Sequence, residues 1–298
     1  MDDKELFQLR QKWYSSDSPA MYEMVKCMYG REVILLEAKT QIPLFEKRAS
    51  PVRMIKAHSI KYLLSNFEAF DFYNKNYSLY QSCAFFEGMP MASFSPPQRK
   101  LDQQSFFQGV GFDLCWKKHE FFIDIDAQKR EGAGEIKEVN SIDANEKVKE
   151  YYFIDEMYSD AKKLKTVLDE FGMAYEISYS GLKGFHFVIR DENIFPQNMK
   201  LKEKVLLAET IAKNIKAIEN IPTIDDTIYQ ATRIRKVSYS LDGFNVVLPL
   251  SDKDFLQWSP EKMRIDNVLK NVVIRNRGLL ERPKTKDSVE FVKLFGGV

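Results

Sequence analysis

The chain has 298 residues, a net charge of +1 and a hydrophobic content of 44%. This apolar content can build a core and excludes a mainly disordered protein, and the near-neutral charge excludes a uniformly basic scaffold. No run of about 18 uncharged apolar residues occurs, and the charged N-terminus lacks the apolar segment of a signal peptide. Three distant cysteines form no CxxC pair, so neither a zinc knuckle nor a disulfide framework is expected. We therefore expect a cytoplasmic protein with reduced cysteines.

The first 108 residues are expected to be mainly helical. Apolar spacing and chain-breaking residues predict helices over 20–30 and 58–70, a strand over 77–86 and a connecting segment over 87–108. We interpret this region as an N-terminal part, 1–108, that packs on a core formed by 109–298.

From residue 109 onward, strands and helices alternate. The patterns predict strands over 119–128, 174–180 and 184–190, helices over 152–171 and 201–220, and a strand–turn–strand over 237–250. Hairpin-like turns join several of the strands. This favours an α+β fold with mixed or antiparallel sheets flanked by helices over a doubly wound parallel sheet. The C-terminal segment 261–286 is basic, with eight Lys and Arg against three acids.

Asp124 and Asp126 end the apolar segment FFIDID. Residues two apart in a strand point to the same face, so both carboxylates project together. Like charges repel unless a cation lies between them, and carboxylate-bridged metal pairs occur in polymerases and nucleases. The alternative is a strand that ends in two solvated aspartates.

The segment 180–186 has the sequence SGLKGFH. Its glycines let backbone amides approach an anion, and Ser180, Lys183 and His186 supply a hydroxyl, a positive charge and an imidazole for phosphate oxygens. The alternative is an ordinary β-turn with Lys183 exposed at its tip and His186 packed in a strand.

Asp225 and Asp226 precede a basic cluster that includes Arg233 and Lys236. One of these acids could supply a further metal ligand, and the basic residues could bind a triphosphate. The alternative is a surface loop that leads into a strand edge protected by charge.

In this order, the three motifs resemble those of the archaeo-eukaryotic primase superfamily, which comprises the small catalytic primase subunit and its primase-polymerase relatives. Its DxD motif matches Asp124 and Asp126, and its SGxxGxH motif matches 180–186 without a gap. The positions of its third motif read here, in order, Asp225, Ile228, Tyr229, Arg233, Lys236, Ser238 and Ser240. The resemblance covers roughly residues 25–250.

Two positions depart from the superfamily's pattern. Ser238 stands where the third motif has a proline, and Asp242 stands where primase subunits have a histidine that binds the triphosphate. The three scattered cysteines also cannot form the zinc module that many primase subunits carry, so no structural zinc is expected. These departures indicate a stand-alone primase-polymerase rather than a replicative primase subunit.

The resemblance implies a primase-polymerase core that acts as a template-dependent nucleotidyltransferase, a DNA primase or DNA polymerase, by a two-metal mechanism. It implies that Asp124, Asp126 and Asp225 are the catalytic acids and bind two Mg²⁺ or Mn²⁺, with Asp226 as the alternative third ligand. The implied nucleotide-binding residues are Ser180, Lys183, His186, Arg233 and Lys236.

The expected partners are a single-stranded DNA template with its primer and dNTP or NTP, with no membrane, and we expect a monomer. The basic segment 261–286, with Trp258 ahead of it, is expected to follow the template backbone and to stack on a base, or else to be a solvated helix face. The alternative functions are a metal-dependent nuclease, a non-catalytic single-strand-binding module and a nucleotide-binding regulator. Plasmid replication, end-joining repair and CRISPR adaptation all remain open as contexts.

Overall fold

The computed structural model describes residues 3–15, 17–28, 31, 33–37, 77–86, 116–127, 137–138, 151–152, 154–189, 194–196, 198–230, 233–271 and 288–297. Its α-helices are α1 (Asp3–Trp13), α2 (Pro19–Met28), α3 (Ile154–Glu170), α4 (Leu201–Ile218), α5 (Asp252–Leu256), α6 (Ile265–Asn271) and α7 (Ser288–Gly296). A 3-10 helix spans Pro260–Met263. The predicted helix 58–70, the connecting segment 87–108 and residues 272–286 of the basic segment lie outside the described residues.

The strands are β1 (Val33–Glu37), β2 (Tyr77–Ser82), β3 (Ala84–Phe86), β4 (Trp116–His119), β5 (Phe121–Asp126), β6 (Lys137–Glu138), β7 (Tyr151–Tyr152), β8 (Tyr175–Tyr179), β9 (Gly184–Ile189), β10 (Ile234–Lys236), β11 (Leu241–Asp242), β12 (Asn245–Val246) and β13 (Pro249–Leu250). They form small sheets whose registered pairs are antiparallel. The predicted α+β class is confirmed.

The chain forms two compact units. The first unit comprises residues 1–118, 232–247 and 260–276, and the second unit comprises 119–231, 248–259 and 277–298. The boundary predicted between residues 108 and 109 lies outside the described residues, so it stays a prediction.

The first unit contains a three-stranded sheet in the order β1–β2–β10. β1 lies in a region that was expected to be helical, and β10 begins before the predicted strand–turn–strand, which appears as the short hairpin β11–β12 followed by β13. The last residue of α1 and the residue that follows it hold the backbone around this hairpin. Trp13 Nε1 donates to Tyr239 O at 2.8 Å, and the Tyr14 hydroxyl accepts from Leu241 N at 2.9 Å.

The second unit contains a four-stranded sheet in the order β13–β8–β9–β5. The apolar stripe predicted for α3 is buried, and Gly172 ends the helix with a φ of 57°, a left-handed conformation that favours glycine. Helix α3 packs against β5 and β9, and α4 packs against β5. The predicted strands and helices of this unit are therefore observed with ends shifted by a few residues.

An aromatic cluster covers one face of this sheet. Trp258 is 8% exposed, and its ring centroid lies 4.9 Å from that of Phe185, 5.2 Å from Tyr158 and 5.4 Å from Tyr179. Because the Trp258 ring is enclosed by these neighbours, the expectation that it stacks on a template base is wrong.

No helix among the described residues is long and apolar enough to cross a membrane.

Candidate active site

One row of side chains crosses the sheet of the second unit on the face opposite the aromatic cluster. Asp124 of β5 pairs with His186 of β9, and His186 pairs with Ser178 of β8. Directly opposite residues of antiparallel strands share a face, so the three side chains lie in line. All three are more than nine-tenths buried. The imidazole and the carboxylate are close, with His186 Nε2 at 3.7 Å from Asp124 Oδ1.

A second row lies one step toward the turn. Asp126 pairs with Gly184, whose carbonyl accepts from Ser180 N at 2.9 Å. A Cβ at Gly184 would lie 2.3 Å from Ile125 O and 2.5 Å from Asp126 Oδ1. Position 184 therefore requires glycine because the backbone and a carboxylate of β5 come too close for any side chain.

The SGLKG segment forms the tight turn between β8 and β9, as predicted. Gly181 has a φ of 94°, which a side chain rarely adopts, and the Tyr179 hydroxyl donates to Leu182 O at 2.7 Å. Lys183 O accepts from Ala127 N at 2.9 Å, which joins the turn to the end of β5. The Lys183 ammonium lies 3.3 Å from Asp126 Oδ2. The turn thus brings a positive charge to the second of the two aspartates.

A separate segment runs along the other edge of β5. Ile224 forms an antiparallel bridge with Ile125, Asp225 N donates to Asp124 O at 3.0 Å, and Asp126 N donates to Thr223 O at 3.0 Å. This register puts Asp225 opposite Asp124, at the end of the row that contains His186 and Ser178. The Asp225 carboxylate accepts hydrogen bonds from Thr227 N at 3.0 Å and Thr227 Oγ1 at 2.7 Å.

Asp226 has a different partner. Its carboxylate forms an ion pair with Lys216 of α4, with Oδ1 2.9 Å from Nζ. The hydrogen bond from Lys216 lowers the pKa of Asp226 below its ordinary value. The two adjacent acids therefore differ. Asp225 lies in the segment that pairs with β5, whereas the charge of Asp226 is neutralised by Lys216 of α4.

Arg233 and Lys236 belong to the first unit. Arg233 O accepts from Cys83 N at 2.9 Å, next to β2. Lys236 of β10 forms an ion pair with Asp242, the residue at the position of the superfamily's histidine, and Asp242 Oδ1 accepts from Ser78 Oγ at 2.6 Å. The charge of Lys236 is thus balanced by an acid of its own unit.

The site residues fit a divalent cation in their chemistry. Carboxylates are the ligands that Mg²⁺ and Mn²⁺ prefer, and Asp124, Asp126 and Asp225 meet on β5 and its paired edge. Within the described part of the chain, no three acidic, histidine or cysteine side chains are arranged as a metal cage. Each carboxylate instead has a partner within the protein. His186 lies beside Asp124, and Lys183 pairs with Asp126. Thr227 donates a hydrogen bond to Asp225.

Two features of these surroundings were not predicted. The Asp242–Lys236 pair has no sequence signal, because its geometry depends on the turn between the two residues, where Ser240 N donates to Val237 O at 3.0 Å. Asp160 of α3, which accepts a hydrogen bond from Thr223, does have a signal in the sequence. It is a carboxylate on the apolar stripe of an amphipathic helix, a position where a charged residue calls for an explanation.

No family model matches the chain, and no curated protein matches it. Among solved structures, the chain is similar to the polymerase domain of Mycobacterium tuberculosis ligase D, which was solved in complex with DNA. The TM-score is 0.52 at 12% sequence identity, over 94% of this chain and 93% of that one. At this identity the likeness concerns the fold, and it extends over nearly the whole of both chains.

Proposed function

We propose that the protein is a template-dependent nucleotidyltransferase, a primase-polymerase similar to those of the archaeo-eukaryotic primase superfamily. The observation that carries this proposal is the pairing of β5 with two neighbours, β9 and the segment 223–225. This pairing aligns Asp124, Asp126 and Asp225 beside the glycine turn. The fold likeness to a polymerase domain supports it.

Asp124, Asp126 and Asp225 would bind two Mg²⁺ or Mn²⁺. Bound there, the metals would activate the 3′-hydroxyl of a primer and stabilise the departing pyrophosphate. Asp225 is preferred to Asp226 as the third ligand because the Asp226 carboxylate is paired with Lys216. Each of the three chosen carboxylates would exchange its present partner for a cation.

Lys183 would change its partner in the same event. Its ammonium neutralises Asp126 in the present structure, where the two side chains are 29% and 36% exposed. An exposed pair of this kind contributes little to stability, so it can be broken at a small cost in free energy. Once a cation binds Asp126, the Lys183 ammonium would donate to a phosphate oxygen of the incoming nucleotide, beside the Ser180 hydroxyl and the His186 imidazole.

Arg233 and Lys236 are proposed to add positive charge for the triphosphate. Lys236 would first have to leave Asp242, with which its ammonium is paired. We expect the DNA partners to be a single-stranded template and its primer.

A metal-dependent nuclease also needs clustered carboxylates. It has no need for a glycine turn that carries a lysine and a serine beside them, so the polymerase is the better fit. A single-strand-binding module without catalysis would need no aligned acids at all.

The test is nucleotide incorporation on single-stranded DNA with Mn²⁺ or Mg²⁺, with and without an annealed primer. The parent protein is compared with the double variant Asp124→Ala/Asp126→Ala. Primer extension by the parent that is lost in the double variant is the expected result, and product without a primer would add priming. DNA shortened by the parent alone would favour the nuclease. DNA binding without incorporation in either protein would favour the binding module.

A further inference from the structure

Asp160 is a carboxylate in the middle of α3, on the face that the helix buries. It is 3% exposed, although it lies on the apolar stripe beside Met157 and Ala161. Burial of a carboxylate is costly unless hydrogen bonds and an opposite charge compensate for it. Its partners therefore indicate what it does.

Those partners belong mostly to one turn of the chain. Asp160 Oδ2 accepts from Thr223 N at 3.3 Å and from Thr223 Oγ1 at 2.8 Å. Lys163, one helical turn further along α3, donates to Asp160 Oδ1 at 3.1 Å and to Asn220 O at 3.1 Å. Two adjacent charged side chains of α3 thus bind both ends of the turn 220–223.

Thr223 connects this turn to the aligned acids. Its amide and hydroxyl donate to Asp160, while its carbonyl accepts from the backbone amide of Asp126 at 3.0 Å. Two residues later, the amide of Asp225 donates to Asp124 O. A single peptide segment therefore lies between the buried carboxylate of α3 and the two aspartates of β5.

We infer that Asp160 is a positioning residue that keeps Asp225 in register with Asp124 and Asp126, and so sets the affinity of the acids for a divalent cation. It acts through Thr223 and touches no substrate. The inference rests on the proposed function for the role of the acids, but it concerns how α3 orders them.

Three variants separate the links of this chain of contacts. Asp160→Ala removes the acceptor of both hydrogen bonds from Thr223. Thr223→Val removes only the hydrogen bond from the hydroxyl, and Thr223→Ser keeps a hydroxyl at this position. The matched control is Asp169→Ala, which removes another carboxylate of α3 that binds Lys165 and the Tyr175 hydroxyl. The control disturbs the helix without touching the 220–223 turn.

The first measurement is a Mn²⁺ titration of each protein without nucleotide, followed by electron paramagnetic resonance. Asp160→Ala is expected to weaken Mn²⁺ binding by about 10- to 100-fold, the usual effect of removing a residue that orients a ligand. Thr223→Val should weaken it about threefold to tenfold, the effect of one hydrogen bond. Thr223→Ser and Asp169→Ala should match the parent.

The second measurement is amide hydrogen exchange of residues 221–227 in the metal-free proteins. Faster exchange confined to this segment in Asp160→Ala is expected, because its anchor is lost. Equal exchange and equal Mn²⁺ affinity in the parent and Asp160→Ala would overturn the inference. If Asp160→Ala does not fold, equal Mn²⁺ affinity of Thr223→Val and Thr223→Ser would overturn it.

Nucleotide incorporation by the same proteins distinguishes this inference from the proposed function. The parent could incorporate no nucleotide while the variants still show altered Mn²⁺ affinity. That result would support the role of Asp160 and contradict the proposed polymerase activity. An active parent with unaltered affinities in Asp160→Ala and Thr223→Val would contradict only the role of Asp160.

Discussion

The two units use charged pairs in opposite ways. In the second unit, Lys183 and Asp126 pair near solvent, with 29% and 36% of their side chains exposed. In the first unit, Lys236 and Asp242 are 15% and 10% exposed, and Ser78 also donates to Asp242. A solvated pair separates easily, whereas separating a buried pair leaves an uncompensated charge in a poorly solvated place. The exposed pair suits a site that must exchange partners, whereas Lys236 would leave its buried partner for a triphosphate at a larger cost in free energy.

The backbone repeats this difference. The turn of the second unit depends on two glycines, one with a positive φ and one without room for a Cβ. The hairpin of the first unit depends on the end of α1 and the residue after it, since the side chains of Trp13 and Tyr14 hydrogen-bond to main-chain atoms in and beside the hairpin. The hairpin also turns at a glycine, since Gly243 has a φ of 61°, so the difference is that side chains from a distant part of the chain hold its backbone.

Gly184→Ala should have the largest effect of the substitutions that break this contrast. The new Cβ would displace the Asp126 carboxylate and the β5 backbone, and a displacement of about 1 Å at a reacting group costs about 100-fold in rate. The free energy of unfolding should fall by about 1–3 kcal/mol. Primer extension and chemical denaturation measure the two effects.

Gly296→Ala is the matched control for this substitution. Its Cβ would meet the end of a flexible side chain, Leu207 Cδ1, at 2.7 Å. We expect parental activity from it. Parental activity in Gly184→Ala would show that the close approach to Asp126 has no role in catalysis.

Lys183→Met should have the next largest effect. Loss of one charged donor to a phosphate should raise KM for the nucleotide about tenfold. Mn²⁺ affinity should stay equal or increase, because the ammonium no longer competes for Asp126. Steady-state kinetics and a Mn²⁺ titration measure these values, with the exposed Lys202→Met as the control. An unchanged KM, or a loss of Mn²⁺ binding, would argue against the exchange of partners.

The Lys236–Asp242 pair should give a smaller effect, measured here as the free energy of unfolding. In a double-mutant cycle of Lys236→Met and Asp242→Asn, we expect a coupling of about 1 kcal/mol in the free energy of unfolding. The physical reason is that each single variant leaves the partner's charge or polar group buried without compensation. Additive effects would mean that the pair is as weak as a surface salt bridge.

Asp226 should give the smallest effect, and it depends on pH. Because Lys216 lowers the pKa of Asp226 below the ordinary value of 3.8, the ionised carboxylate stabilises the folded state above that value. This stabilisation is lost as the pH falls through the lower pKa of the folded protein. Asp226→Asn should therefore cost about 0.5 kcal/mol near neutral pH and nothing in strong acid. A pH series of denaturation curves measures the difference, and a constant difference would contradict it.

Local patterns in the sequence predicted much of the second unit. Alternation in FFIDID predicted the shared face of Asp124 and Asp126, and the glycines of SGLKGFH predicted the turn. Alternation also indicated that only one of Asp225 and Asp226 could face the site, but not which. That choice depends on the bridge between Ile125 and Ile224, a contact between residues far apart in the chain.

The first unit was less predictable for the same reason. β1 is a short strand whose only described partner is β2, with paired residues 40 to 48 positions apart, and no local pattern distinguishes it from a helix. Aspartate is usually exposed, yet Asp242 is buried against Lys236 and Ser78. The prediction for Trp258 was wrong because an aromatic residue ahead of a basic segment can pack inward as readily as it can face a nucleic acid.

The most direct test of the account is a Mn²⁺ titration of three proteins: the parent, Asp225→Asn and Asp226→Asn. The two variants change neighbouring carboxylates by the same chemistry, so they differ only in which acid lies beside β5. We predict that Asp225→Asn weakens Mn²⁺ binding by more than roughly tenfold, as expected for a ligand, and that Asp226→Asn binds like the parent. Weakened binding in Asp226→Asn with parental binding in Asp225→Asn would contradict the assignment, and a parent that binds no Mn²⁺ would contradict the metal site itself.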